Sequence, residues 1–155
     1  MAQKEKAFSL VEAIIVVLFI GILAAVAVPR LNFAVVSKHK AETTAKKIVT
    51  DLRRTRNLAI TNAATNPLGF SLRLKPPIPY IAYEIVDRTP PPTTVDTHLI
   101  EPGVSISCLG VPYFRFGALG NLIVDSGTEL SVSAEGKTFT ITIVRATGMI
   151  KCTEN

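Results

Sequence analysis

The sequence contains little from which a catalytic or metal site could be built. Among its 155 residues there are two histidines and two cysteines. Cys108 and Cys152 form no CxxC pair and have no histidine close by in sequence, which argues against a zinc site. His39 lies in a basic segment, where we expect a solvated side chain. His98 follows Asp96 with one residue between them, and we interpret this spacing as incidental. We therefore expect no metal ion.

Common enzyme motifs are also missing. The sequence has no GxSxG, no HExxH and no glycine loop of the kind that cradles phosphate. The segment 125–129 offers two carboxylates, whereas a calcium ion takes six to eight oxygen ligands, so we expect a turn there. These absences predict no catalytic activity and no cofactor.

Acidic residues are scarce in the first part of the chain. Residues 1–62 hold ten Lys and Arg against four Asp and Glu, and residues 63–155 hold seven against eight. The basic excess therefore belongs to the N-terminal part, and the remainder is close to neutral. A basic chain of this kind gives only weak support for nucleic-acid binding.

One long apolar run stands out: KAFSLVEAIIVVLFIGILAAVAVPRL, residues 6–31. Phe8 to Val28 is 21 residues, or roughly 31 Å as a helix. This length matches a bilayer core of about 30 Å and predicts a transmembrane segment at 8–28. Glu12 lies inside the run, where a charge costs on the order of 2.5–3.5 kcal/mol at the centre of a span and less near its end.

Two ordinary interpretations of this run leave Glu12 unexplained. A secretory signal peptide would be cleaved after Ala25-Val26-Ala27, and a simple signal anchor would tether the domain that follows. Neither supplies a partner for the carboxylate, although acids in membrane segments are usually paired.

The segment KAFSLVEAIIVVLFIGILAAVAVP resembles the N-terminus of type IV prepilins and pseudopilins. In that family, prepilin peptidase removes a short basic leader before a Phe, and the new N-terminus is methylated. The resemblance implies a leader at 1–7, cleavage between Ala7 and Phe8, and N-methylation of Phe8. The family usually has Gly before the cut, so Ala7 is expected to slow cleavage.

The same resemblance gives Glu12 a role in assembly. Cleavage creates an α-amino group that is largely cationic at pH 7, because its ordinary pKa is about 8. Glu12, the fifth residue of the processed chain, would meet the N-terminus of a neighbouring subunit. Gly21 and Pro29 match the family's helix-loosening Gly and kinking Pro. The implied partners are other pilins or pseudopilins, the assembly platform and the inner membrane.

After Pro29 the apolar residues form a stripe on an amphipathic helix, predicted over 29–65 as the continuation of one long helix over 8–65. The stripe recurs in steps of four and three at Ala41, Ala45, Ile48, Leu52, Thr55, Ala59 and Asn62. A second, basic face carries Lys40, Lys47 and Arg54, with Lys46 and Arg53 beside them. We interpret it as solvated, with neighbouring subunits, membrane or DNA as alternative contacts. Asn66-Pro67 should end the helix.

Residues 66–155 are predicted to form a β-rich domain in the periplasm. Alternation and turn signals predict strands at 68–74, 80–86, 104–109, 129–134, 138–145 and 149–152. The Pro-rich stretch 88–97 is predicted to be a loop. The expected fold class is α+β, with the long helix packed on a small antiparallel β-sheet or β-sandwich.

Three further segments resemble the minor pseudopilins of the GspH/FimT type: DLRRTRNLAITNA, FRFGALGNL and ATGMIKC. The resemblance implies a structural subunit of a type II secretion pseudopilus, anchored in the bacterial inner membrane by a single span. The alternative is a FimT-type minor pilin of a type IV pilus, acting in pilus assembly or DNA uptake. DNA capture ranks lower because Lys151 is followed by Glu154 near the C-terminus.

If the C-terminal half lies outside the cytoplasm, its surroundings are oxidising enough for a disulfide to form. We therefore predict that Cys108 and Cys152 pair and tie the last strand to the sheet.

Overall fold

The computed structural model describes residues 10–27 and 33–155. These divide into two compact units, with the boundary after Phe33. The first unit contains helix α1, Leu10–Ala27. The second contains nearly all of helix α2, Phe33–Thr61, and eight strands. Residues 28–32, and with them Pro29, lie outside the described residues, so the predicted continuity of the two helices is not described.

The buried stripe of α2 is confirmed. Six of its seven predicted positions are fully buried: Ala41, Ala45, Ile48, Leu52, Thr55 and Ala59. On the basic face, Lys46, Lys47, Arg53 and Arg54 are exposed. The helix therefore packs on the domain through its small and aliphatic side chains, and its long basic ones face solvent.

The end of α2 differs slightly from the prediction, because the helix stops at Thr61 rather than at residue 65. Residues 62–65 form a turn in which the amides of Thr65 and Asn66 both donate to the Asn62 carbonyl. Asn66 is buried, and its side-chain amide donates to the Gly69 carbonyl and to Asp87 Oδ1. Asn66 thus halts the helix and fixes the start of the first sheet.

The strands form two four-stranded antiparallel sheets. Sheet 1 has the order β3-β2-β1-β5 and sheet 2 the order β4-β6-β7-β8. The strands are β1 Phe70–Lys75, β2 Ala82–Asp87, β3 Thr93–Leu99, β4 Ser105–Leu109, β5 Tyr113–Phe116, β6 Glu129–Ala134, β7 Lys137–Val144 and β8 Met149–Glu154. The α+β class and the antiparallel sheets are confirmed.

The predicted strands 129–134 and 138–145 form a hairpin that is tighter than the gap between them implies. Ala134 pairs with Lys137, so two residues rather than three make the turn. Glu135 and Gly136 have φ values of 47° and 78°, the left-handed geometry that matches the twist of an antiparallel pair.

One predicted loop is wrong, and two strands were not predicted. Residues 93–99, partly inside the predicted loop 88–97, form β3 and pair with β2. The prolines stop at residue 92, and the β-branched residues after them extend along a sheet edge, where proline nearby is tolerated. β5 pairs with β1 through Phe114 and Phe116, in a segment too short for alternation to identify.

The core of the second unit joins both sheets to α2. The inward side chains of the sheets and the apolar stripe of α2 belong to one buried cluster. Its largest fully buried members include Tyr83, Phe114, Phe116, Ile48, Leu52, Leu72, Leu130 and Ile141. Burial of this kind contributes roughly 1.5–3 kcal/mol per large side chain before the cost of ordering the chain.

Candidate functional site

Helix α1 is apolar on all sides and has no covering within its own unit. Every side chain described in it, residues 10–25, is exposed. Leu10 is 76% exposed, Phe19 60% and Leu23 67%. Apolar exposure on all sides of a helix is typical of a segment that lipid or another protein covers.

Among the described residues, no helix combines the length and the apolar character needed to cross a bilayer. The predicted span, 8–28, includes residues 8, 9 and 28, which lie outside the described residues.

Glu12 lies in the first turn of α1 and is the one charged residue of that helix. The backbone amides of a first turn favour a negative charge, so Glu12 is well placed at this end. Gly21 follows nine residues later, on the opposite face of the helix. A Cβ at Gly21 would meet no described atom within 4 Å. Ala7 and Phe8, the predicted cleavage and methylation sites, lie outside the described residues.

The predicted disulfide is wrong. Cys108 and Cys152 are both free thiols. They occupy β4 and β8, the two edges of sheet 2, in one row through Leu130 and Ile141. Three strand spacings separate them, about 14 Å, whereas bridged cysteines have Cα atoms within about 7 Å. Burial raises the pKa of the Cys152 thiol, and nearby Lys46 opposes the shift.

The three segments that carried the subfamily resemblance meet at one junction. Arg56 of α2 donates through Nε to the Gly120 carbonyl at 3.0 Å and through a terminal nitrogen to the Thr147 carbonyl at 3.1 Å. Gly148 lies against the same place, where an added Cβ would come within 1.9 Å of the Gly120 oxygen. Loops that end both sheets are thus fastened to the second half of α2.

A partly buried polar cluster joins α2 to sheet 1. The Tyr83 hydroxyl donates to Asp51 Oδ2 at 2.6 Å, and Arg54 donates to Asp96 Oδ2 at 2.7 Å. His98 lies between the two carboxylates, with Nε2 3.5 Å from Asp51 and 3.3 Å from Asp96. Apart from the Asp96–His98 spacing, no pattern in the sequence indicates this cluster.

The contacts of this cluster are structural, because they hold α2 on sheet 1. Burial, aided by Asp51, raises the pKa of Tyr83, so Tyr83 stays a neutral donor and is not activated as a nucleophile. The described residues contain no group of three or more His, Cys, Asp or Glu side chains arranged to hold a metal ion. His39, the other histidine, is exposed and lies 3.9 Å from Glu42.

The outer face of sheet 1 is basic. Arg73 and Lys75 share the buried Glu84. Arg88 and Arg115 lie near each other, and within the described residues neither has a carboxylate within 4.0 Å. Burial and the charge of Arg115 lower the pKa of Arg88.

Two further basic side chains of the domain have defined partners. The Arg115 guanidinium stacks over the Tyr113 ring at 4.1 Å. At the C-terminus, Glu154 pairs with Lys137 and not with Lys151. Their positions explain this, because adjacent strands bring Lys137 beside Glu154, whereas Lys151 projects from the other face of β8.

Comparison with known proteins supports the fold. No protein-family model and no curated protein sequence matches the chain. The structure is similar to that of the minor pseudopilin EpsH from the Type 2 Secretion System of Vibrio cholerae, with a TM-score of 0.56 and 12% identity. The alignment covers 74% of this chain and 96% of EpsH. At this identity the likeness shows the fold alone: the chain has a pilin-like α+β fold.

Proposed function

We propose that this protein is a minor pseudopilin, a structural subunit of a type II secretion pseudopilus. The observation that carries the proposal is the exposed apolar helix α1, whose one charge is Glu12, in a chain whose second unit holds a pilin-like domain. The structural likeness to a minor pseudopilin supports this combination. The GspH/FimT subtype rests on the resemblance of the three junction segments.

In this proposal α1 is covered twice, first by the inner membrane and then by other subunits. The apolar side chains of α1 meet acyl chains before assembly and the apolar helices of neighbouring pilins afterwards. Processing before Phe8 leaves an α-amino group four residues before Glu12 in the sequence. In the fibre, Glu12 meets the N-terminus of the adjacent subunit, because unpaired charge is costly in a low-dielectric setting.

The role we propose is one of assembly and not of catalysis. The polar cluster around Asp51 and Tyr83 fastens α2 to sheet 1, and the Arg56 junction fastens α2 to the loops. Both keep the second unit rigid while α1 makes the contacts. The processed protein is anchored in the inner membrane with its domain in the periplasm, and prepilin peptidase and the assembly platform are its other partners.

Processing provides the test. Mass spectrometry of the protein isolated from membranes should show a chain that begins with N-methylated Phe8. Ala7→Gly should leave less unprocessed precursor, because the smaller residue fits the peptidase better. An N-terminus at Val28 would instead establish an ordinary secretory signal and contradict the proposal.

DNA uptake by a type IV pilus is the second candidate. Arg88 and Arg115 on the outer face of sheet 1, with Tyr113 beneath Arg115, provide cations and an aromatic ring of the kind that binds nucleic acid. Fluorescence anisotropy of a labelled oligonucleotide tests it. Binding that weakens in the Arg88→Ala/Arg115→Ala double variant, but not in Lys47→Ala, would favour this candidate over secretion.

A further inference from the structure

Three large apolar side chains are exposed at one end of the second unit. Ile78, Ile81 and Leu99 are 77%, 59% and 77% exposed. Leu99 pairs with Ala82 at the end of β3, and the Ile100 amide donates to the Ile81 carbonyl at 2.9 Å. We call these three side chains the end patch. Ile78 belongs to it because the loop 76–81 connects β1 to β2 at this same end.

The end patch lies where α2 begins. Asp51 bonds Tyr83, which pairs with His98, so positions beyond His98 on β3 lie beside earlier turns of α2. A shallow groove confirms this direction, since His39 and Lys40 line it together with Glu101. The opposite end of the unit holds Ile60 beside Gly120, about 30 Å away along the axis of α2.

Three lysines lie at the same end of the second unit as the end patch. Lys38 and Lys40 lie in the first turns of α2 for which side chains are described, and Lys75 ends β1 beside Ala82. Two carboxylates lie near them: Glu101, which lines the groove with Lys40, and the buried Glu84, which is 3.6 Å from Lys75. The end patch and the lysines near it, the lysine rim, are complementary to an anionic lipid surface. Acyl chains would contact the apolar side chains, and phosphates would pair with the lysines.

We propose that the end patch enters the lipid interface of the membrane, as a second contact beside α1. This inference rests on the membrane anchoring of α1 in the proposed function. Five residues, 28–32, connect α1 to α2, a segment that reaches at most about 20 Å. The sequence therefore tethers the second unit to any bilayer that holds α1. The contact would hold the domain in one orientation before the subunit joins a fibre.

Tryptophan substitution tests the contact directly, because the chain contains no tryptophan. The full chain would be reconstituted in vesicles of phosphatidylethanolamine and phosphatidylglycerol, with and without brominated acyl chains. Single variants would place the fluorophore in the end patch, Ile78→Trp and Leu99→Trp, or in α1, Phe19→Trp. Leu119→Trp is the matched control, since Leu119 is 88% exposed in the loop at the opposite end.

The proposal predicts that bromolipid quenches Trp in both end-patch variants at least about two-fold more than in Leu119→Trp, because interfacial side chains reach the acyl boundary. Their emission should also lie at shorter wavelength than that of Leu119→Trp. Replacing phosphatidylglycerol by phosphatidylcholine should reduce the quenching, because the lysine rim then loses its anionic partner.

Two outcomes would overturn the proposal, and they differ in what they mean for the anchor. If Phe19→Trp is quenched while both end-patch variants match Leu119→Trp, the anchor stands and the second contact does not exist. If Phe19→Trp is not quenched either, the anchoring of α1 fails and the second contact fails with it.

Discussion

Arg56 on α2 and Gly120 in the loop after β5 are joined by a hydrogen bond of 3.0 Å from the guanidinium Nε to the carbonyl oxygen. The two residues lie 64 positions apart in the chain. The same guanidinium also reaches Thr147, so one side chain holds a helix and the loops of two sheets. This arrangement gives the junction segments a physical reason to occur together.

Removing the guanidinium should destabilise the domain. Arg56→Ala loses both hydrogen bonds to carbonyls, and we expect a loss of about 2 kcal/mol in the free energy of unfolding. Arg56→Lys can satisfy one carbonyl at a time and should lose less. Urea unfolding of the detergent-solubilised full chain measures both. Arg53→Ala, on the exposed face of the same helix, should stay within about 0.5 kcal/mol of wild type; an equal loss in both alanine variants would contradict the role assigned to Arg56.

Gly148 tests the packing of the junction independently of charge. Its φ is +64°, and an added Cβ would come within 1.9 Å of the Gly120 oxygen. Gly148→Ala should therefore lower the free energy of unfolding by at least about 2 kcal/mol. Gly136→Ala is the matched control, because Gly136 also has a positive φ, +78°, but its Cβ would meet nothing within 4 Å. If the two substitutions lower the free energy of unfolding equally, backbone conformation alone explains the effect. The close approach of a Cβ at Gly148 to the Gly120 oxygen would then contribute nothing.

The buried Glu84 should make stability depend on acid. Burial acts to raise the pKa of Glu84 and is the largest single influence, but hydrogen bonds and charges from Arg73 and Lys75 together outweigh it, so the pKa lies below its ordinary value of 4.5. Because the folded-state pKa is lowered, the stabilisation is present above pH 4.5 and is lost as pH falls below it.

Chemical denaturation between pH 6 and pH 3 measures this loss, taking about pH 4.5 as the pH at which the unfolded carboxyl is half-protonated. Glu84→Gln should flatten the pH profile, whereas Glu101→Gln, at an exposed site, should leave its shape unchanged. A wild-type profile as flat as that of Glu84→Gln would show that the two cations do not stabilise the carboxylate.

The cysteines should behave as two separate thiols. Under non-reducing conditions, thiol titration of the purified protein should find both free. Cys152 should react before the half-buried Cys108, because access of the reagent to the exposed Cys152 outweighs the raised pKa of its thiol. Cys152→Ser should remove the fast phase and Cys108→Ser the slow one. Peptide mapping that recovers a Cys108–Cys152 cross-link from the monomer would contradict the strand order of sheet 2.

Local periodicity was sufficient to predict much of this fold. Steps of three and four from Ala41 to Ala59 identified the buried face of α2, and alternation identified the inward residues of β1. Leu68 was predicted to be an inward residue of this strand, but the strand begins at Phe70 and the Leu68 side chain is 44% exposed. The edge strand β3 escaped prediction because most of its side chains are exposed and polar.

Contacts between distant segments could not be predicted in this way. Tyr83 and Asp51 are 32 residues apart, and nothing in the spacing of either indicates the other. The cysteine pairing failed for the same reason, since it depended on a strand order that sequence alone did not specify. For α1 the opposite holds: Glu12 was identified from its surroundings in sequence, and the structure adds that its apolar neighbours are exposed.

Copurification of Glu12 variants with the other pilins is the measurement that bears most directly on the proposed function. We expect Glu12→Gln and Glu12→Leu to accumulate in the inner membrane at wild-type levels, because neither change disturbs the second unit. Both should copurify with the fibre at least about tenfold less well, since an unpaired buried charge, in this case the neighbour's N-terminus, costs several kcal/mol.

A subunit at the fibre tip would retain some incorporation. Ile14→Leu, a conservative change in the same part of α1, should assemble normally. If both Glu12 variants copurify and support secretion as the wild type does, Glu12 does not set the register of assembly, and the proposed role of α1 in the fibre is contradicted.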